Sequence, residues 1–184
     1  MTDITIINKT FQPFISAGQI RERVLTLAEN IREDFRNELP LFLVVLKGAY
    51  FFAKDLIQAV NIPCTVGFIR LSSYDSLQSS NIIQEGLGLT DDIKDRRVII
   101  IEDIVESGRT LYHALQKLKT EHPVSIKVCS LLVKPSKLRF PVRADYYGFE
   151  ISEAFVVGYG LDYCEQGREL ADIYQLKTIE SSKV

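Results

Sequence analysis

Apolar positions along the chain follow two alternating patterns. Ile20, Val24, Leu27, Ile31 and Phe35 recur at helical spacing within residues 16–38, and Ser16 with Gln19 three positions later forms a capping box at the start. Pro40 follows the stop of that helix. Leu41 to Leu46 is then an unbroken apolar run, the pattern of a strand buried on both faces of a parallel sheet. Phe52, Leu56 and Val60 mark a second helix, and Thr65 to Leu71 a further strand. The alternation resumes with the β-branched run Val98 to Ile101, a helix carrying Leu111, Leu115 and Leu118 that Pro123 ends, and a core strand from Ile126 to Val133. These patterns predict an α/β chain whose sheet strands are buried by helices on their faces. One polar stretch, Ser72 to Asn81, interrupts the pattern before a returning strand at Gln84 to Leu89. Long loops of that kind are either lids or disordered connections.

The chemistry concentrates after Val98–Ile101. The strand runs into two adjacent acids, Glu102 and Asp103; Glu106 follows two apolar residues later, and then Ser107-Gly108-Arg109-Thr110 opens a helix. In an open α/β sheet, ligands bind outside the carboxyl ends of the strands. Backbone N–H groups at a helix start, with a glycine allowing close approach, make a phosphate cradle. Three carboxylates beside an anion site would repel the anion unless a metal or a hydroxyl-bearing sugar lies between. A ribose 5-phosphate meets that requirement, with its phosphate in the cradle, its cis-diol against the acids and Mg²⁺ nearby. The bland alternative is a buried strand leading into a capped helix with solvated acids.

Composition narrows the class without naming the chemistry. The chain has 184 residues, a formal net charge of −2 and a pI near 5.8, which offer no bulk attraction to nucleic acid or anionic lipid. No apolar run approaches a membrane span, and the first residues lack the charge pattern of a signal peptide. Cys64, Cys129 and Cys164 are odd in number and lack CxxC spacing, so a cytoplasmic chain without a disulfide framework is expected. His113 and His122 belong to no motif and are expected at the surface.

Residues 98–110, an apolar strand, Glu-Asp, two apolar residues, an acid and then Ser-Gly-Arg-Thr, resemble the phosphoribosyl-pyrophosphate (PRPP) motif of the type I phosphoribosyltransferases. The resemblance extends from about Leu41 to Arg168. It implies a twisted, mainly parallel sheet flanked by helices, within a single domain spanning 1–184. The core would cover about 16–145. A small hood would come from about 146–184, with the N-terminal residues as a candidate addition. Leu46-Lys47-Gly48-Ala49-Tyr50 is similar to the family's pyrophosphate loop, in which the peptide before the lysine can be cis. Ser73 and Tyr74 correspond to the loop that closes over pyrophosphate, and Arg168 to the arginine that grips it. Lys134, in Leu-Leu-Val-Lys, matches the lysine that contacts O6 of a 6-oxopurine; lysine only donates, which suits hypoxanthine or guanine rather than adenine. Phe155 and Val156 resemble the residues that stack on the base and bond its edge, and Asp162 a carboxylate near base and metal.

The resemblance thus implies purine salvage: PRPP and a 6-oxopurine giving the nucleoside 5′-monophosphate and pyrophosphate, with Mg²⁺. Glu102, Asp103 and Asp162 are the implied metal residues; Ser107, Gly108, Arg109 and Thr110, with Glu106, the implied 5′-phosphate site. Glu106 is also the implied general base, and there the chain departs from the family's usual Asp by one methylene. Residues 150–154 depart as well, leaving the choice among hypoxanthine, guanine and xanthine open. A xanthine-preferring enzyme and a non-catalytic PRPP-binding regulator are the alternatives. The family resemblance implies small-molecule substrates and a homo-oligomer, dimer or tetramer, with neither nucleic acid nor membrane as partner.

Overall fold

A computed structural model describes residues 2–71, 88–89 and 91–177. Ser73, Tyr74 and most of the expected strand at Gln84 to Leu89 lie outside the described residues. Within them, the elements in chain order are β1 (Ile4–Ile6), β2 (Lys9–Ile15), α1 (Ala17–Asp34), β3 (Leu41–Leu46), α2 (Tyr50–Val60) and β4 (Thr65–Arg70). They continue with β5 (Arg97–Val105), α3 (Arg109–Lys119), β6 (Ser125–Val133), a short 3-10 turn (Pro135–Lys137), β7 (Tyr146–Glu150), β8 (Val156–Val157) and β9 (Ile173–Leu176).

Five strands form one sheet in the order β4-β3-β5-β6-β7, every pairing parallel. The two central strands explain the apolar runs. Leu41 to Val44 and Val98 to Ile101 are at most 1 % exposed. Their side chains sort by strand parity. Phe42, Val44, Ile99 and Ile101 join one core with α1 and α2, whereas Leu41, Leu43, Val98 and Ile100 join a second core with α3. A strand covered by helices on both faces has no polar side, which is why alternation is absent from its sequence.

The capping box is present: the Ser16 hydroxyl accepts from the Gln19 N–H, and the Gln19 side chain reaches back to the Ser16 N–H. The helix stops at Asp34 rather than reaching residue 38, because Phe35 leaves helical geometry to bury its ring in the α1–α2 core. β7 differs from expectation too. Tyr146–Glu150, expected in the hood, is the edge strand of the parallel sheet, with Tyr146 and Gly148 turned inward and Tyr147 outward. It pairs with β6 from Cys129–Tyr146 to Val133–Glu150, and Tyr146 and Phe149 pack against the α1–α2 core.

The hood is a second, antiparallel sheet, β1-β2-β9-β8, which brings the N-terminal hairpin against the C-terminal segment. Its own core is Ile6, Phe11, Val157 and Tyr174. Ile15, Val156 and Ile173 of the hood pack into the α1–α2 core, and two further contacts join it to the α2 end of the larger layer. The Tyr159 hydroxyl donates to Asp55 on α2 at 2.6 Å, and a Cβ at Gly160, where φ is +103°, would lie 2.0 Å from the Gly48 carbonyl oxygen. Among the described residues, no helix is long and apolar enough to cross a membrane.

Strand order fixes where a ligand can enter. From β3 the chain crosses outward to β4, and from β5 it crosses the other way to β6 and β7, so the direction reverses between β3 and β5. Crevices at such a reversal, outside the carboxyl ends of the strands, are the usual binding position of open α/β sheets. Here the crevice is widened by splaying. β3 pairs with β5 only through Val44 and Ile101, while β5 stays paired with β6 as far as Val105 and Val133. Glu102 is the first residue of β5 beyond the β3 register.

Candidate active site

A cleft of about 350 Å³ opens at that splay, lined by Leu46 and Gly48 from the end of β3 and by residues 102–111 from β5 into α3. The Leu46–Lys47 peptide at its rim is cis. Gly48 is required by proximity: a Cβ there would stand 1.6 Å from an Asp103 carboxylate oxygen. The other Asp103 oxygen accepts the Ile104 N–H at 2.8 Å.

Glu102 and Asp103 are held in a way that leaves charge uncompensated. One Glu102 carboxylate oxygen is buried and meets no hydrogen-bond donor. Burial pushes the Glu102 carboxyl well above its ordinary range, and the neighbouring Asp103 adds to the rise. Asp103 is raised as well, chiefly by burial, while its hydrogen bonds with Glu102 and Ile104 and the field of Arg168 act in the opposite direction. Two adjacent half-buried acids, one with an unpartnered oxygen, suit a hard cation or a pair of sugar hydroxyls. Asp162, expected to complete a metal set with them, is engaged elsewhere: it pairs with Arg168 at 2.7 Å and accepts the Glu165 N–H at 2.8 Å. Among the described residues, no group of three His, Cys, Asp or Glu side chains converges as metal ligands. Mg²⁺ is compatible with the two-acid arrangement nonetheless, since it commonly takes one or two carboxylates and completes its shell with water and substrate phosphates.

Beyond the acids the chain turns through Glu106 and Ser107 into α3. Gly108, at φ +76°, is the helix N-cap and has no side chain with which to cap it. Apart from the Arg109 N–H, which donates to the Ser107 hydroxyl at 3.3 Å, the N–H groups of the first turn are left for water or an anion. A Cβ at Gly108 would lie 2.3 Å from a Val142 methyl, so this position also needs glycine for packing. Ser107 and Thr110 are half-buried in the cleft, and Arg109 is exposed.

Lys134 follows the last residue of β6 and is 1 % exposed, the most deeply buried charged side chain among the described residues. Its ammonium pairs with the Glu106 carboxylate, which is part-exposed to the cleft. A buried ammonium needs such a partner, because the interior cannot replace its hydration. The sequence assigned these two residues to separate motifs; the parallel pairing of β5 and β6 brings them together.

The remaining expected residues form two groups. Lys47 and Arg168 both meet Glu165, at 2.8 and 3.5 Å, and Arg168 also donates to the Gly160 carbonyl at 2.8 Å. Phe155 and Val156 sit on the hood. Val156 is in β8, an edge strand of its sheet, so among the described residues one side of its backbone has no strand neighbour. Phe155 is 42 % exposed, and its ring contacts Phe11 and Tyr163 at centroid distances of 6.3 and 6.0 Å. Tyr163 and Lys9, whose ammonium lies 4.6 Å from the Tyr163 ring centroid, belong to this aromatic cluster and were not singled out from sequence. Their signal was weak: the hairpin carrying Lys9 is distant in sequence, and only the antiparallel sheet brings it near. His122 is exposed as expected, but His113 is half-buried, its ring against Tyr112 and Phe140, because the segment after β6 folds back over α3.

Residues 16–164 match the phosphoribosyl transferase domain. The chain belongs to the phosphoribosyltransferase family. It is 41 % identical over 166 residues to the hypoxanthine-guanine phosphoribosyltransferase of Mycobacterium avium, covering 86 % of this chain and 82 % of that protein. It is 38 % identical over 164 residues to the enzyme of the same name from Bacillus subtilis, covering 89 % and 91 %. Among solved structures, a hypoxanthine-guanine phosphoribosyltransferase of Bacillus anthracis, crystallised with a HEPES molecule in its active site, superposes with a TM-score of 0.81 at 34 % identity, covering 91 % of this chain and 97 % of that one. The parallel sheet with a separate hood is therefore the phosphoribosyltransferase fold.

The uncompensated acids have a consequence for stability. A carboxyl whose pKa is raised on folding makes the folded chain bind more protons than the unfolded one. Stability then falls as pH climbs from the ordinary carboxylate range through the raised value. Glu102→Gln removes that term. Without ligand, the variant is expected to unfold at higher urea than the wild type at neutral and alkaline pH, and the two midpoints should converge as pH approaches the ordinary glutamate range. Parallel urea titrations across pH provide the check; a variant less stable than the wild type at alkaline pH would contradict the reading of the pair.

Proposed function

We propose that the chain transfers the 5-phosphoribosyl group of PRPP to hypoxanthine or guanine, giving IMP or GMP and pyrophosphate. The observation that carries this reading is the buried Lys134 ammonium beside the Glu106 carboxylate at the ends of adjacent strands. A 6-oxopurine offers the complementary edge: O6 accepts, and N7–H donates. Adenine offers an amino donor where Lys134 can only donate. The names of the relatives, hypoxanthine-guanine and hypoxanthine phosphoribosyltransferases, support the same substrate class.

The chemistry follows from these positions. The N9 lone pair of the base attacks C1′ of the ribose, and the bond from C1′ to the pyrophosphate oxygen breaks, its electron pair leaving with pyrophosphate. The proton on N7 passes to Glu106, whose carboxylate is already at that edge. Lys134 donates to O6 and holds the ring plane, Phe155 stacks on it, and the open edge of Val156 bonds its other side. Amides of Ser107, Gly108, Arg109 and Thr110 cradle the 5′-phosphate at the start of α3. Glu102 and Asp103 accept from the ribose hydroxyls. Glu102 and Asp103 would also hold Mg²⁺, which would supply charge neutralisation for the departing pyrophosphate. Lys47, the Gly48 amide and Arg168 receive the leaving group, while Asp162 orients Arg168.

The direct test is PRPP-dependent nucleotide formation with hypoxanthine, guanine, xanthine and adenine in parallel; turnover of adenine with no turnover of hypoxanthine or guanine would reject the reading. Two variants test the residues. Lys134→Ala should raise KM for hypoxanthine and guanine by roughly 10- to 100-fold, the effect of losing a charged hydrogen bond of about 1.5–3 kcal/mol, with KM for PRPP little changed. Glu106→Gln should lower the single-turnover rate by about 10²–10⁴. It should also destabilise the protein, because Lys134 loses its counter-charge. Adding Lys134→Met should restore the stability but not the rate, and a rate restored along with the stability would remove Glu106 from the chemistry.

A further inference from the structure

The chain carries an anion of its own at the proposed pyrophosphate subsite. Tyr163 to Gln166 is a two-residue β-turn: the Tyr163 N–H donates to the Gln166 carbonyl at 2.9 Å and the Gln166 N–H returns to the Tyr163 carbonyl at 3.1 Å. Both central residues, Cys164 at φ +52° and Glu165 at φ +66°, occupy the left-handed region, as a type I′ turn requires. Asn-Gly is the usual occupant of such a turn. Here a glutamate takes the position that glycine favours, and Asp162 holds its N–H at 2.8 Å. The turn aims the Glu165 carboxylate at the two cations expected to receive pyrophosphate. A single oxygen, Oε2, lies 2.8 Å from the Lys47 ammonium and 3.5 Å from an Arg168 guanidinium nitrogen.

The acids around Arg168 are not equivalent. Asp162 is largely buried, 2.7 Å from the guanidinium, and also bonded to backbone, so it is a fixed counter-ion. Glu165 has a side chain 65 % exposed, and its partner Lys47 is 58 % exposed. An exposed ion pair of this kind is weak and exchanges with solvent ions. Lys47 beside it holds the Glu165 carboxyl below its ordinary range, so it remains charged wherever the enzyme works. The Arg168 Nε, meanwhile, is buried with no acceptor, so the guanidinium has bonding capacity beyond its protein partners.

We propose that Glu165 is an internal occupant of the pyrophosphate subsite, bridging Lys47 and Arg168 in the free enzyme and displaced when the diphosphate of PRPP or the product pyrophosphate binds. The inference rests on the reading of Lys47 and Arg168 as that subsite. Because the displaced carboxylate is exposed, it can turn into water without any change in the fold. Its return competes with pyrophosphate for the same cations and favours release of the product.

Calorimetric titration of the full chain with inorganic pyrophosphate in the presence of Mg²⁺ tests this. Glu165→Gln should bind pyrophosphate about two- to fivefold more tightly than the wild type, the range set by an exposed ion pair. Glu165→Gly, which suits the positive φ and keeps the turn, should do the same. Raising the salt concentration should shrink the difference. In steady-state kinetics, both variants should show stronger product inhibition by pyrophosphate, with KM for hypoxanthine unchanged. Lys47→Ala serves as the reference: it should weaken pyrophosphate binding and, in combination with Glu165→Gln, abolish most of the gain. Equal or weaker binding by both Glu165 variants, with Lys47→Ala weakened, would overturn the displacement proposal and make Glu165 a residue that positions the cations. Unchanged binding in Lys47→Ala would instead reject the subsite assignment, and the proposal with it.

Discussion

A lysine ammonium buried at the end of a parallel strand sets the terms for the rest of the site. Lys134 cannot be charged there without a partner, and Glu106 on the neighbouring strand supplies one. The partner comes from the turn between β5 and α3, so the same few residues bind the ammonium, present a carboxylate to the cleft and lead into α3. β5 and β6 stay in register to Val105 and Val133, which holds the two side chains side by side. The pair is therefore a product of sheet geometry, and its chemistry, a donor beside an acceptor, matches one edge of a 6-oxopurine.

The second constraint is close packing at the mouth of the cleft. Gly48 touches the Asp103 carboxylate, and Gly160 of the hood touches the Gly48 carbonyl. Side chains at either glycine would force apart the loop, the acids and the hood. The stack keeps Lys47 within reach of the turn that carries Glu165, and brings Arg168 near enough to influence Asp103. The site thus spends stability: buried acids with an unmatched oxygen, positive φ at non-glycine turn residues and a buried guanidinium nitrogen without an acceptor all lie around one crevice. Concentrations of this sort are expected where ligands complete what the protein leaves open.

Much of the sheet was legible because buried parallel strands write themselves as apolar runs. Leu41–Leu46 and Val98–Ile101 needed no context, and neither did the Ser16–Gln19 capping box. Local resemblance also placed Lys47, Gly48, Ser107, Gly108 and Lys134 at strand or helix ends, where they stand, whereas Glu102 and Asp103, read as the end of their strand, lie within β5, which runs on to Val105. What sequence could not carry was anything decided by pairing at a distance. Whether β7 joins the core sheet or the hood depends on partners elsewhere in the chain. The Lys134–Glu106 contact spans two motifs. Asp162 was read by resemblance as a carboxylate near base and metal; the pairing that the structure adds is with Arg168, six residues away. Lys9 and Tyr163 join Phe155 only through the antiparallel hood, and no spacing rule links residue 9 to residue 155.

The central claim is that the Lys134–Glu106 pair reads the oxygen at position 6 of the purine. The most direct measurement is the affinity of the enzyme for IMP against AMP by calorimetry, under identical Mg²⁺ and salt. The two nucleotides share ribose and phosphate and differ in the base edge that faces Lys134. The account predicts that IMP binds at least about tenfold more tightly, a difference of roughly 1.4 kcal/mol or more. Equal affinities, or tighter binding of AMP, would contradict it.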